Sequence, residues 1–73
     1  MEVGDFVDVL DTVNKWCVGR VVQVDDSSSK VLIHYEGWGD KLNEWITFKA
    51  NRVKPYLSIL FYLINFNSIS FNY

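Results

Sequence analysis

Apolar and polar residues alternate with a period of two along much of the chain, and the alternation breaks at clusters of Asp, Asn, Ser and Gly. Gly4 to Asp11 (GDFVDVLD) sets Val7 and Val9 on one face and Phe6, Asp8 and Leu10 on the other, which predicts a strand with one buried face. Asp11 to Lys15 supplies Asp and Asn, turn formers whose side chains bond nearby backbone. Trp16 to Val24 (WCVGRVVQV) predicts a second strand, β-branched on both faces as in a sheet that curls on itself. Gly19 within it marks a bulge, a bend or a close backbone approach. Asp25 to Lys30 is polar and predicts a solvated hairpin loop. A third strand follows at Lys30 to Tyr35, with Val31, Ile33 and Tyr35 on one face and Leu32 and His34 on the other. Glu36 to Asn43 is the next loop, where Gly37 and Gly39 bracket Trp38 and free the backbone for positive φ. Glu44 to Phe48 predicts a fourth strand and Lys49 to Val53 a single helical turn, after which Pro55 ends regular hydrogen bonding. The pattern describes an all-β fold of four or five strands.

Composition narrows what such a fold can do. Seventy-three residues make one domain at most, with a modest core, and leave no room for a separate catalytic domain. Aromatics at 16% supply large buried areas per residue and favour a packed β-domain over disorder. A net charge of −2, with no polybasic run, argues against a strong phosphate-binding surface. One cysteine, Cys17, excludes an internal disulfide and fits a reducing, intracellular compartment. With one His beside it, no metal site is expected, nor any cofactor. The acidic, alternating start does not read as a cleavable signal peptide.

Five pieces in order carry a resemblance. They are Gly4-Asp5 with Val7-Asp8-Val9; Lys15-Trp16 with Gly19 and Val21; Ile33-His34-Tyr35 with Gly37-Trp38; Asn43-Glu44-Trp45-Ile46; and Arg52-Val53-Lys54-Pro55-Tyr56. Over residues 4 to 56 the chain resembles the Tudor-knot or chromo barrel family. The resemblance implies a small, strongly bent SH3-like or chromo barrel of about five strands, with a short helical turn near its C-terminal end. It also implies a chromatin-associated, nuclear setting. Several family members hold methylated lysine in an aromatic cage, where ring faces surround a cation that is cheap to dehydrate. Of that cage Tyr35 and Trp38 are present, while Cys17 and Leu42 stand where aromatics are expected. Trp16 neighbours Cys17 but faces the opposite side of the strand, so it substitutes only if a bulge near Gly19 shifts the phase. Phe6 or Leu10 are the remaining candidates for a wall.

Each of these residues also has a plainer reading. Trp45, between Glu44 and Ile46, reads as core, and the Tyr35 hydroxyl as bonded to backbone. Trp38 either meets a ligand or packs over the open end of the barrel. His34 reads as a packing or surface residue, and with Cys17 it lacks the third group of a catalytic set. Glu36, Asp40 and Glu44 read as solvated, or as an acidic flank that attracts a basic peptide.

After Pro55 the composition changes. Residues 57 to 73 hold only Leu, Ile, Phe, Tyr, Asn and Ser, too interrupted by Asn and Ser for a membrane helix. Leu57 to Phe66 can form a strand or short helix over the barrel; equally, all six residue types have AT-rich codons, as in translated sequence never selected for folding. The expectation is one barrel at residues 2–56 and a tail at 57–73. The barrel is expected to be a monomeric, non-enzymatic interaction module for a histone tail or similar peptide. The alternative is a cage-less adaptor for protein or, weakly, RNA, which would need Lys15, Lys30 and Lys41 on one face.

Overall fold

The computed structural model describes residues 1–61, and the element order is β1 (Phe6–Leu10), β2 (Trp16–Asp25), β3 (Lys30–Tyr35), β4 (Glu44–Thr47) and β5 (Val53–Pro55). They form one curled antiparallel sheet in the order β4-β3-β2-β1-β5. A 3-10 turn at Phe48–Ala50 fulfils the expected helical turn, and a second at Asp40–Leu42 lies within the expected loop. Pro55 does not end the ladder but pairs with Val7, on an edge strand where its missing N–H costs little. Most of the expected tail, residues 62–73, lies outside the described residues. Among the described residues no helix is long and apolar enough to cross a membrane.

Val7, Val9, Val21, Val31, Ile33, Tyr35 and Ile46 form the core, with Cys17, Val24 and Val53 half-buried against it. The inward face of β2 changes along the strand: Val21 pairs with Ile33 but Gln23 with Leu32, so Val22 is an extra residue in a bulge. Residues before the bulge point inward at odd positions, and Val24 points inward after it. That phase change is why β2 reads as β-branched on both faces. Gly19 is therefore no bulge but a close approach. A Cβ there would stand 2.8 Å from Ile33 Cγ2, 3.0 Å from Val9 Cγ1 and 3.2 Å from the His34 carbonyl. Gly19→Ala is expected to cost about 1–3 kcal/mol through overpacking, read as a lower urea midpoint; an unchanged midpoint contradicts the assignment.

Two readings of single faces are corrected. Trp45 is 40% exposed rather than core, because Ile46 takes the inward position and Trp45 pairs outward with Leu32. The Lys30 ammonium lies 5.0 Å from its ring centroid, a cation–π contact. Asp8, on the expected solvent face of β1, is fully buried. Its Oδ1 accepts the Leu57 amide at 3.0 Å and Oδ2 the Ile59 amide at 2.8 Å. Asp8 thus caps the helical turn that opens at Ser58, holding residues 57–59 against β1.

Candidate functional site

In an antiparallel meander the β1–β2 and β3–β4 connections lie at the same end of the sheet, and here they enclose a groove of about 660 Å³. One loop contributes Asp11, Thr12, Val13 and Lys15, and the other Trp38, Lys41, Leu42 and Asn43; Cys17, Tyr35 and Glu44 complete the lining from the strands.

The first loop is shaped by Asp11. Its Oδ1 accepts the amides of Val13 and Lys15, each at 2.9 Å, while Asn14 takes a positive φ of 62°. The other oxygen, Oδ2, receives the Cys17 thiol at 3.6 Å. Partial burial opposes ionisation of Asp11, but the Lys15 and Val13 amides, the thiol and the Lys15 charge outweigh it and hold the carboxyl below its ordinary range. Burial, then the charge and hydrogen bond of Asp11, push the Cys17 thiol up, which makes it a poor nucleophile at neutral pH.

The second loop turns at Gly37, whose φ of +88° a side chain would strain. Gly39 does not share this role, since its φ is −70°. The Trp38 amide donates to the Tyr35 carbonyl at 3.1 Å, which sets the indole at the rim, 63% exposed. Tyr35 is the floor, only 8% exposed.

The Tyr35 hydroxyl bonds not to backbone but to Glu44 Oε1 at 2.6 Å. Arg52 holds the same carboxylate in a fork, each of its terminal nitrogens 2.8 Å from a Glu44 oxygen, while Nε donates to the Leu10 carbonyl at 2.8 Å. Hydrogen bonding from Arg52 leads the effects that hold the Glu44 carboxyl below its usual value, against partial burial. Burial first, then the bond to Glu44 and its charge, push the Tyr35 phenol well up.

The expected site residues therefore divide. Tyr35, Trp38, Cys17, Leu42 and Glu44 come together in the groove, while Trp16 does not line it. The bulge lies downstream, at Val22, and leaves the phase of Trp16 unchanged. Phe6 stands instead against Tyr56, ring centroids 5.8 Å apart, and Leu10 is also outside the lining. Among the described residues two rings line the groove, with Cys17 and Leu42 on the remaining walls. The acidic trio is dispersed: Glu36 pairs with Arg20 at 3.4 Å, Asp40 lies 3.0 Å from His34 Nδ1, and Glu44 is bound by Arg52 rather than solvated. His34 Nδ1 also meets Asn43 Oδ1 at 2.9 Å, tying β3 to the loop. Lys15 and Lys41 line the groove, whereas Lys30 sits over Trp45, so the three lysines do not gather at one site. Among the described residues no three of His, Cys, Asp and Glu converge on a metal position. The lining residues that sequence reading left out are Asp11, Thr12, Val13, Lys15, Lys41 and Asn43 as groove residues; the meander, which puts both loops at one end, was the available signal.

No family model matches the chain. Among curated proteins it is 35% identical over 54 residues to PHD finger protein 20-like protein 1 of Gallus gallus, covering 74% of this chain and 7% of that protein. The Mus musculus protein of the same name matches at 35% over 54 residues, 74% of this chain and 5% of its own length. PHD finger protein 20 of Homo sapiens is 28% identical over 54 residues, again 74% of this chain and 5% of the relative. The chain thus spans a small fraction of the curated relatives it matches. It has homologues among PHD finger protein 20-like proteins, and its small curled sheet fits a Tudor- or chromo-like barrel.

Proposed function

From homology to PHD finger protein 20-like proteins and a barrel with an aromatic-rimmed groove at one end, we propose a non-enzymatic, chromatin-associated interaction module. In this reading the groove receives the methylated ammonium of a lysine on a partner peptide, such as a histone tail. The observation that carries it is the 63% exposed Trp38 indole standing beside Tyr35 and Asp11 in one lining. Ring faces attract a poorly hydrated cation, and Asp11 Oδ2, bonded only to a weak thiol donor, accepts an ammonium N–H. A trimethylated lysine has no such hydrogen, so mono- and dimethyl forms are favoured.

Two rings and one carboxylate give a weak site. At about 0.5–2 kcal/mol per ring, the two rings alone give a Kd of about 1 mM or weaker, which the Asp11 hydrogen bond tightens. Cys17 and Leu42 in the lining favour a second reading, a cage-less groove that takes an apolar side chain of a protein partner. Titrating the chain with peptides bearing unmodified, mono-, di- and trimethyl-lysine, while following the Trp38 indole resonance, separates the two. The methyl-lysine reading expects saturable shifts that depend on methylation, and Trp38→Ala is expected to weaken binding about tenfold or more. Because the ring is largely exposed, that variant should keep its melting temperature. Equal binding of unmodified and methylated peptides, lost in Leu42→Asp, supports the adaptor instead.

A further inference from the structure

The charge lining the groove differs from what the sequence suggests. Glu36, Asp40 and Glu44 read as an acidic flank for a basic peptide, yet Glu36 lies beside Arg20, Glu44 is forked by Arg52, and Asp40, next to the His34 ring, stays exposed outside the lining. What lines the groove instead is a half-buried carboxylate, Asp11, with an ammonium from each loop, Lys15 and Lys41, both on exposed residues. Lys15 shares its field with Asp11, and no carboxylate lies within ion-pair distance of Lys41 among the described residues. With Glu44 neutralised by Arg52, the described residues of the lining offer the Asp11 carboxylate and two cations beside it.

We infer that the partner is a peptide in which the lysine entering the groove is flanked by Asp or Glu, whose carboxylates meet Lys15 and Lys41. This rests on the lysine-binding reading and specifies the sequence around that lysine. The inserted ammonium compensates Asp11, and the flanking carboxylates compensate the lysines, so every charge in the interface finds its opposite. A polybasic flank brings like charges to the two lysines and gains nothing from Glu44, already held by Arg52. Exposed charge pairs are individually weak, so the preference is one of specificity and falls with salt.

The test titrates the 73-residue chain with three dimethyl-lysine peptides of equal length, flanked by Glu, by Ala or by Arg, and with the unmethylated Glu-flanked peptide. At low salt the Glu-flanked peptide is expected to bind about 3–10-fold tighter than the Arg-flanked one, with the gap closing by 0.5 M NaCl. In Lys15→Glu/Lys41→Glu the order reverses, while both exposed substitutions leave thermal stability near that of the parent. Methylation-dependent binding that ignores the flanks, or prefers Arg, overturns the inference and leaves the lysine site standing. If none of the four peptides binds, or methylation is without effect, the lysine-binding reading falls and this inference with it.

Discussion

Replacing Arg52 with Met is expected to lower unfolding free energy by about 2–3 kcal/mol. Roughly 4–11 kcal/mol is the whole stability expected of so small a domain. The reason lies in the sheet order. Among the described residues β4 and β5 are the two edges, Glu44 is the first residue of β4, and Arg52 immediately precedes β5. The Arg52 fork therefore joins one edge to the other, with a third bond to the Leu10 carbonyl. Met keeps much of the stem's packing but leaves a half-buried carboxylate with only the Tyr35 hydroxyl as donor, and removes the side-chain donor from the Leu10 carbonyl. Urea unfolding checks it, and a midpoint equal to the parent's would mean the seam closes without the pair. A Glu44→Gln/Arg52→Met double variant should recover part of the loss, since no uncompensated charge then remains.

The same pair sets a pH dependence whose sign is determined. Glu44 titrates lower in the folded chain than its ordinary value of 4.5. Its contribution is thus fully present above about pH 4.5 and is lost as pH falls through the lowered folded value. Asp11, also lowered, adds a loss in the acid range. The Arg52→Met variant should lose less stability than the parent between neutral pH and the acid range, because Glu44 no longer has a cation holding it ionised. Parallel pH profiles for the two proteins would contradict this account.

Asp8→Ala is the second large effect, expected to cost about 2–4 kcal/mol in the full chain. Two amides, of Leu57 and Ile59, lose their acceptor at a position where Asp8 is wholly buried, and each unsatisfied donor costs about 1–3 kcal/mol. The measurement is a comparison of the substitution in residues 1–73 with the same substitution in a chain ended at Tyr56. A cost confined to the longer chain means that the folding unit continues past Tyr56. Equal costs in both would return the boundary to residue 56 and leave Asp8 with another role.

Strands β1 to β4 were legible because a half-buried strand must alternate, and Val7, Val9, Val31 and Ile33 obey that rule as inward residues. Trp38 was legible as a ring presented by the turn that Gly37 permits, and Tyr35 came from the family resemblance; both line the groove. Trp45 was not, because a period of two says only that Trp45 and Ile46 face opposite ways, without saying which way is in. Asp8 was misread for a similar reason. Alternation marks its face as polar, but nothing local shows that residues 57–59, far along the chain, return to cover it. Asp11 and Lys15 were legible as a turn and illegible as part of a groove, since a local pattern carries no information about the second loop.

Local chemistry, acting over a few residues, determined the all-β class, the strand positions, the sharp turn before Trp38 and the lack of rings at Cys17 and Leu42. Tertiary structure alone decided which carboxylates remain uncompensated, which lysines face the groove, and how the sheet's edges are joined. Those outcomes depend on pairs such as Arg52 with Glu44 and Asp8 with Leu57. Charges interact through space, and only folding sets the distances between them.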